Sequence, residues 1–278
     1  MENKRKSNLL PSNMRKLRIA LVQMRCEKGA IDENLAVMSA YIDQAEQRGI
    51  DIIGFPENSL TGHNDPPKSD REMISLDGDE VNDLLKMTDG KTPTVLAGLV
   101  EKNPAGKPFI TQIVVRDGKL IGCHRKINVG EYEGDVKEPY TPGDRIDVFD
   151  HDGLTFGIAV CADISFERVF AECARQGAEI VFELAAPGLY GDRTARDWRS
   201  GYEMWEKSCM DTFPGYSTRH GIWIAVATQA GRTSDEDFPG GGYLFNPRGK
   251  RVYATKDWNP CVSYLEIALD SQEVTELS

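Results

Sequence analysis

Apolar strand-like runs alternate with helix-like runs along the whole chain, and two further stretches have the pattern of hairpins. The first unit has a strand at 17–24, a helix at 32–48 and a second strand at 51–55. A strand–helix–strand unit pairs its two strands in parallel, whereas a hairpin pairs them antiparallel. Because both kinds of unit occur, the sequence predicts a mixed sheet, or two packed sheets covered by helices, rather than a purely doubly wound fold.

The rest of the chain continues this pattern without a repeat, a low-complexity segment or a clear linker. The two hairpins turn at Asp117-Gly118 and at Asn246-Pro247-Arg248-Gly249, which are typical turn residues. We expect one α/β domain over residues 17–278, preceded by a flexible tail over residues 1–16. The remaining predicted elements are helices at 79–87, 166–176 and 195–212 and strands at 94–100, 154–160, 179–184, 222–228 and 261–267.

The charge balance argues against nucleic acid as the main partner. The 278 residues carry a formal net charge of −11, and the basic residues are spread along the chain. Phosphate binding needs a concentrated basic surface. No apolar run approaches the roughly 20 residues of a membrane helix, and no signal-peptide core precedes the first strand. We therefore expect no nucleic-acid partner, no membrane partner and a cytoplasmic location.

One of the six cysteines has the context of a nucleophile. Cys161 closes the strand-like run LTFGIAV and precedes a helix expected to start near Ser165. The carboxyl ends of strands are where α/β proteins place ligands, and a helix N-terminus stabilises thiolate and lowers the thiol pKa. The cysteine spacing matches neither a zinc site nor a disulfide framework. Cys123, Cys173 and Cys261 are predicted to be inert packing residues.

Two charged residues also follow strand-like runs. Glu57 comes directly after DIIGFP (51–56), and Lys126 follows KLIGCHR (119–125). Burial of a carboxylate favours its protonated form, which suits a general base near neutral pH, and a fixed lysine can stabilise an oxyanion. Taken singly, Glu57 could equally be a surface glutamate and Lys126 a solvated lysine. His124 lies two residues before Lys126 on the same predicted strand, so its side chain should point the same way. It could be a neighbour of the site, but we favour a structural role.

Three segments together resemble the nitrilase superfamily of carbon–nitrogen hydrolases. They are FPENSLTG (55–62), HRKINVGEYEGDVKEPYTPGD (124–144) and GIAVCADISFERVFAECARQGAEIV (157–181), and the resemblance extends over about residues 17–268. It implies a four-layer α-β-β-α sandwich with two mixed sheets. It also implies a homodimer or larger homo-oligomer formed through the outer helices, with no metal and no organic cofactor.

The resemblance also assigns roles to individual residues. It makes Glu57 the general base, Lys126 the cation that stabilises the oxyanion, and Cys161 the nucleophile. A second glutamate near the lysine is common in the family. Glu131, Glu133 and Glu138 are available here, and we prefer Glu138 because it lies closest to the TPGD turn. The backbone N–H of Ala162 completes the predicted oxyanion site, although the family often has an aromatic residue or arginine at that position.

The segment 183–205 is expected to help line the substrate pocket. Tyr190 and Trp198 are candidates for an aromatic wall, together with Trp205, but the seven-residue spacing of the two tryptophans equally fits packing against the core or another subunit. Glu183 and Asp192 favour a substrate that carries an amine, although the whole chain is acidic.

The expected function is hydrolysis of a small amide through a cysteine thioester. The alternatives that the sequence leaves open are an N-carbamoyl amide hydrolase, a nitrilase, an acyltransferase and a non-catalytic scaffold.

Overall fold

The computed structural model describes residues 15–63, 69, 72–129, 139–189, 192 and 194–278. The α-helices within them are α1 (Ile31–Gln47), α2 (Asp79–Thr88), α3 (Glu167–Arg175) and α4 (Trp198–His220), and a 3-10 helix spans Cys161–Ser165. The strands are β1 (Lys16–Gln23), β2 (Ile52–Gly54), β3 (Thr94–Glu101), β4 (Phe109–Arg116), β5 (Lys119–Arg125), β6 (Val148–His151), β7 (Leu154–Val160), β8 (Ile180–Ala185), β9 (Trp223–Thr228), β10 (Ala230–Arg232), β11 (Asp237–Pro239), β12 (Tyr243–Phe245), β13 (Arg251–Ala254), β14 (Cys261–Ala268) and β15 (Glu273–Glu276).

Two large sheets carry the fold. The first has the order β15-β14-β1-β2-β3-β4-β5, and the second has the order β13-β12-β9-β8-β7-β6. Strands joined through a helix pair in parallel, as in β1 with β2 and β7 with β8, whereas both predicted hairpins pair antiparallel. The prediction of mixed sheets is therefore confirmed.

The alternation of side chains along the strands explains why the two sheets stack. Leu17, Ile19 and Leu21 of β1 belong to one buried cluster with residues of the second sheet, including Phe156 and Ile158. Successive side chains of a strand point to opposite faces, so the intervening residues of β1 pack against helices α1 and α2 instead. Each fully buried side chain of this size contributes roughly 1.5–3 kcal/mol to stability.

The outer layers are helical on both sides, which confirms the α-β-β-α sandwich. Helix α1 buries Leu35, Met38, Ile42 and Ala45 against the first sheet at helical spacing. On the other side, α3 and α4 pack against the second sheet through a separate cluster that includes Phe170 and Phe213.

Helix α4 is longer than predicted. It begins at Trp198 after the cap residue Asp197, whose side chain accepts a hydrogen bond from the Arg199 N–H, and it continues through Pro214 to His220. The predicted range 195–212 stops before that proline. Tyr216 and Ser217, which follow it, are buried, so packing carries the helix past the residue that usually ends one. The helix then ends at Gly221, whose φ of 67° is readily adopted by glycine;.

The first strand begins one residue before its predicted start at residue 17. Strand β1 begins at Lys16, and Arg15 before it pairs with Glu179. Residues 1–14, which make up most of the predicted tail, lie outside the described residues. Across the part of the chain that the structure covers, no helix has the length and apolar character needed to span a bilayer.

Candidate active site

Glu57 lies in the loop that follows β2, and this loop is fastened to β3. The N–H of Gly98 donates to Ser59 Oγ at 2.9 Å, and the N–H of Leu60 donates to the Gly98 carbonyl at 2.8 Å. A Cβ at Gly98 would lie only 2.3 Å from the backbone nitrogen of Asn58, so this close approach requires glycine. The loop thereby presents Glu57 into the interior, where it has no solvent exposure.

Lys126 meets Glu57 across the first sheet. Its Nζ donates to Glu57 Oε1 at 2.7 Å, and the backbone on both sides of the lysine is hydrogen-bonded to neighbouring segments. Burial opposes the positive charge of Lys126, but the neighbouring Glu57 carboxylate outweighs that effect and raises its pKa. The lysine is therefore a permanent cation at physiological pH.

Cys161 closes β7 of the second sheet and is half-buried. Its φ of 48° lies in the left-handed region, which is uncommon for residues other than glycine and is often found at functional sites;. Burial raises the pKa of the Cys161 thiol well above its ordinary value, Glu57 raises it further, and Lys126 acts in the opposite direction. The first two effects prevail, so the resting group is a neutral thiol.

This finding corrects one expectation about Cys161. The sequence predicted that a helix starting near Ser165 would lower the thiol pKa. In the structure a short 3-10 helix occupies Cys161–Ser165, and α3 begins only at Glu167. Burial is the largest effect on the Cys161 thiol and raises its pKa, so the predicted lowering by the following helix does not prevail.

The turn that carries Cys161 is tied to the segment that carries Lys126. Asp163 Oδ1 accepts hydrogen bonds from the N–H groups of Ile127 and Asn128, at 3.2 and 2.7 Å, and Oδ2 accepts from the Val160 N–H at 3.0 Å. Ala162, predicted to supply the oxyanion amide, follows Cys161 in this turn, and its carbonyl accepts from Asn128 Nδ2 at 2.7 Å. The three predicted catalytic side chains thus converge from two sheets.

Comparison with known proteins places this arrangement in a family. The profile of the carbon-nitrogen hydrolase family matches residues 18–276. The chain belongs to the carbon-nitrogen hydrolase family.

Individual relatives of this carbon-nitrogen hydrolase are distant. A glutamine-dependent NAD(+) synthetase of Acinetobacter baylyi is 23% identical over 266 residues, which cover 95% of this chain but 46% of that protein. The chain therefore spans about half the length of that relative. An omega-amidase of Bos taurus is 26% identical over 267 residues, covering 92% of this chain and 90% of that protein.

Among solved structures, a variant of the amidase from Nesterenkonia sp. AN1 aligns with a TM-score of 0.73 at 20% identity. The alignment covers 98% of this chain and 93% of that one. That amidase carries the acetamide moiety of fluoroacetamide, covalently added at its active-site cysteine. At this level of identity the likeness shows a shared fold.

The structure describes some of the other predicted site residues of this carbon-nitrogen hydrolase but not all of them. Glu138, the preferred second glutamate, and Tyr190 lie outside the described residues, as do Glu131 and Glu133. Trp205 is a core residue, 5% exposed, and its Nε1 donates to Thr228 Oγ1 at 2.9 Å. This contact supports packing over a place in the pocket wall.

Trp198 and Asp192 are less buried. Trp198 is half-buried at the start of α4, with the Arg232 guanidinium 5.9 Å from its ring centroid. Asp192 is exposed and accepts hydrogen bonds from Thr194.

Glu183 lies on β8 close to Cys161, with no solvent exposure. Among the described residues, neither carboxylate oxygen has a hydrogen bond of good geometry, although the Cys161 N–H lies near enough to favour the charged form weakly. Burial raises the pKa of Glu183 well above its ordinary value, and Asp163 and Glu57 raise it further. A neutral carboxylic acid is the form that fits this position.

Three residues near the site were not found by sequence reasoning. The Ala186 N–H donates to Glu57 Oε2 at 3.1 Å, and Asp163 makes the contacts described above. His63 Nδ1 lies 3.3 Å from Glu236 Oε2. Burial disfavours the imidazolium, but Glu236 and Glu57 outweigh that effect and raise the pKa of His63. Of these three, only Asp163 has a sequence signal, as an acidic residue two positions after the predicted nucleophile Cys161.

His124 is both buried and next to the site. Its Nε2 lies 3.5 Å from Asp163 Oδ2, and both side chains have no exposure. Among the described residues, no group of three or more histidine, cysteine or acidic side chains is arranged to hold a metal ion.

Proposed function

We propose that this protein hydrolyses a small amide through a thioester on Cys161. The observation that carries the proposal is the buried ion pair between Glu57 and Lys126, 2.7 Å apart, beside a half-buried cysteine in a left-handed backbone conformation. A base, a cation and a nucleophile held together in this way are the groups that acyl transfer from an amide requires.

The raised pKa of the Cys161 thiol makes a base necessary in the first step. As Sγ attacks the amide carbon, its proton passes to Glu57, and the carbonyl electron pair moves onto oxygen. Lys126 and the Ala162 N–H stabilise the resulting oxyanion. Removing one such donor typically lowers kcat by about 10²–10³-fold.

The leaving group then departs with the proton that Glu57 has taken up. The oxyanion electron pair re-forms the carbonyl, the C–N bond breaks, and the amine or ammonia leaves with that proton. The acyl group remains on Sγ as a thioester, and Glu57 is again a carboxylate.

Water completes the cycle by the same route. Glu57 takes a proton from the water as its oxygen attacks the thioester, and Lys126 again lies beside the oxyanion. The C–S bond breaks, Sγ recovers the proton from Glu57, and the carboxylic acid is released.

The relatives support an amide as the substrate class. One is an omega-amidase and another is an amidase with a covalent adduct at its active-site cysteine. The glutamine-dependent NAD(+) synthetase also has a region similar to this chain.

The test is ammonia release from a panel of compounds by the wild-type protein and by Cys161→Ala. The panel contains aliphatic and aromatic amides, ω-amides of dicarboxylic acids, N-carbamoyl amino acids and nitriles. We expect release from at least one amide by the wild type alone. Release only from nitriles or carbamoyl compounds would replace the amide proposal, and release by Cys161→Ala would refute the cysteine mechanism.

A further inference from the structure

The Asp163 carboxylate collects backbone N–H groups from two separate segments. Ile127 and Asn128 come directly after Lys126, and Val160 comes directly before Cys161. The shortest of the three hydrogen bonds is 2.7 Å, from the Asn128 N–H, and the Val160 bond is 3.0 Å. One buried side chain therefore connects the residue next to the cation with the residue next to the nucleophile.

This connection runs between the two sheets. Lys126 follows β5, the edge strand of the first sheet, whereas Cys161 follows β7 of the second. Asn128 adds a second link in the same place, because its Nδ2 donates to the Ala162 carbonyl at 2.7 Å. We refer to Asp163 and Asn128 together as the Asp163 clamp.

The clamp is rigid for a physical reason. Asp163 has no solvent exposure, and hydrogen bonds from N–H groups to a charged acceptor are shorter and stronger than neutral ones. His124 Nε2 faces the same carboxylate at 3.5 Å. Leaving the Asp163 oxygens or the backbone N–H groups that bond to them without partners would cost stability, which favours this arrangement of the clamp.

We propose that Asp163 is a positioning residue that sets the placement of Lys126 relative to Cys161, with Asn128 in a supporting role. The proposal rests on the roles of Lys126 and Cys161 in the proposed function. Asp163 bonds to the backbone beside these residues rather than to their reacting atoms. Because Lys126 also favours the thiolate of Cys161, its displacement can slow every reaction of this sulfur, and the positioning effect should appear as an additional fall in reactions that pass through an oxyanion.

Two reagents separate that effect from a general loss of structure. p-Nitrophenyl acetate acylates a cysteine through a tetrahedral oxyanion and releases p-nitrophenolate. Iodoacetamide alkylates the same sulfur by displacing iodide, and no oxyanion forms. Because the Cys161 thioester is itself hydrolysed, the acylation rate constant is taken from p-nitrophenolate release in a single turnover, and the alkylation rate constant from peptide mapping of Cys161 after timed exposure. Cys161→Ala provides the background from the other cysteines in both measurements.

Asp163→Asn keeps the shape of the side chain but replaces one acceptor oxygen with an NH₂ group, which faces a backbone N–H. Displacement of catalytic groups by about 1 Å can lower a rate about 10²-fold. We expect acylation of Cys161 to fall about 100-fold while alkylation changes less than about 5-fold. Asn128→Ala, at a half-buried position, should change the ratio of the two rates in the same direction but less.

Asp51→Asn is the matched control. Asp51 Oδ2 accepts a hydrogen bond from the Arg18 N–H at 2.7 Å, so this carboxylate also connects neighbouring strands through a backbone N–H. Asp51 precedes β2, however, whereas Glu57 follows β2 at the opposite end of the strand. This variant should leave the ratio unchanged.

Three results would overturn the positioning role: a parallel fall of both reactions, no fall of acylation in either clamp variant, or the same change in Asp51→Asn. Asn128→Ala supplies the test if Asp163→Asn does not fold. If the wild type acylates Cys161 but hydrolyses no amide, the amide proposal fails and the positioning test still stands.

Discussion

Glu57 and Glu183 lie in two regions of the interior that both border Cys161, and both have no solvent exposure. Their surroundings differ. Glu57 has the Lys126 ammonium at 2.7 Å and the Ala186 N–H at 3.1 Å. Glu183 lacks a hydrogen bond of good geometry within the described ranges. Burial, followed by the carboxylates of Asp163 and Glu57, raises its pKa against the weaker opposing effects of Lys126 and the Cys161 N–H.

The difference shows that burial alone does not prepare a carboxylate for catalysis. A buried carboxyl group without a stabilising partner favours its protonated form, because burying the negative charge would cost free energy. A buried carboxyl with a cation and an amide beside it has partners that stabilise its negative charge. In the proposed mechanism Glu57 therefore accepts the proton from Cys161, whereas the raised pKa of Glu183 favours its neutral form.

The largest effect is expected from Glu57→Gln, which removes the base from the paired region. General acid–base catalysis typically contributes about 10²–10⁴-fold, so we expect kcat to fall by about 10³-fold. Steady-state ammonia release measures this, and circular dichroism confirms folding. Glu183→Gln is the matched control, and an equal loss there would remove the functional distinction between the two regions.

Lys126→Met should lower kcat by about 10²–10³-fold, because the oxyanion loses its cation. It should also lower the free energy of unfolding by about 3–5 kcal/mol, because Glu57 is left buried without its partner. Urea denaturation measures the second effect. The double variant Glu57→Gln/Lys126→Met should recover much of that stability, and strictly additive losses would mean that the pair is not coupled.

The smallest effect on activity is expected from Glu183→Gln, with kcat within about 3-fold of wild type because general base catalysis involves a different residue. The main effect of this substitution is expected on the pH dependence of the free energy of unfolding. The pKa of Glu183 is raised in the folded state, so the folded protein binds this proton more tightly than the unfolded chain. The Glu183 contribution to stability therefore falls as pH rises from the ordinary glutamate pKa toward the raised value.

Urea unfolding of wild type and Glu183→Gln between pH 5 and pH 8 tests the sign of this dependence. One such group changes the free energy of unfolding by up to about 1.4 kcal/mol per pH unit. We expect the stability advantage of the glutamine variant to grow with pH. An advantage that stays constant or shrinks would show that Glu183 is ionised in the folded protein.

Sequence reasoning located most elements because their apolar spacing is regular. Helix α1, expected at 32–48, occupies Ile31–Gln47, and the hairpin of β4 and β5 turns at Asp117-Gly118 as predicted. Strands β6, β10, β11 and β15 were missed; each has only three or four residues, and unlike the equally short β2, β12 and β13 none was marked by a predicted turn or a strand–helix–strand unit. The extension of α4 past Pro214 was missed because it depends on packing against the second sheet.

The same limit applies to the candidate site. Glu57, Lys126 and Cys161 could be proposed because each follows an apolar strand and matches a family motif. Ala186 contributes only a backbone N–H, which every residue except proline has, so the identity of this residue could not indicate its contact with Glu57. The raised pKa of Cys161 depends on burial between the sheets and could not be predicted from the helix that follows.

The most direct test of the central claim is mass spectrometry of the Cys161 peptide, after rapid acid quenching during turnover of the best amide substrate. The account predicts that the acyl part of the substrate is attached to Cys161 in the wild type, with no adduct and no ammonia release in Cys161→Ala. Ammonia release by a folded Cys161→Ala protein at a rate near that of wild type would contradict it.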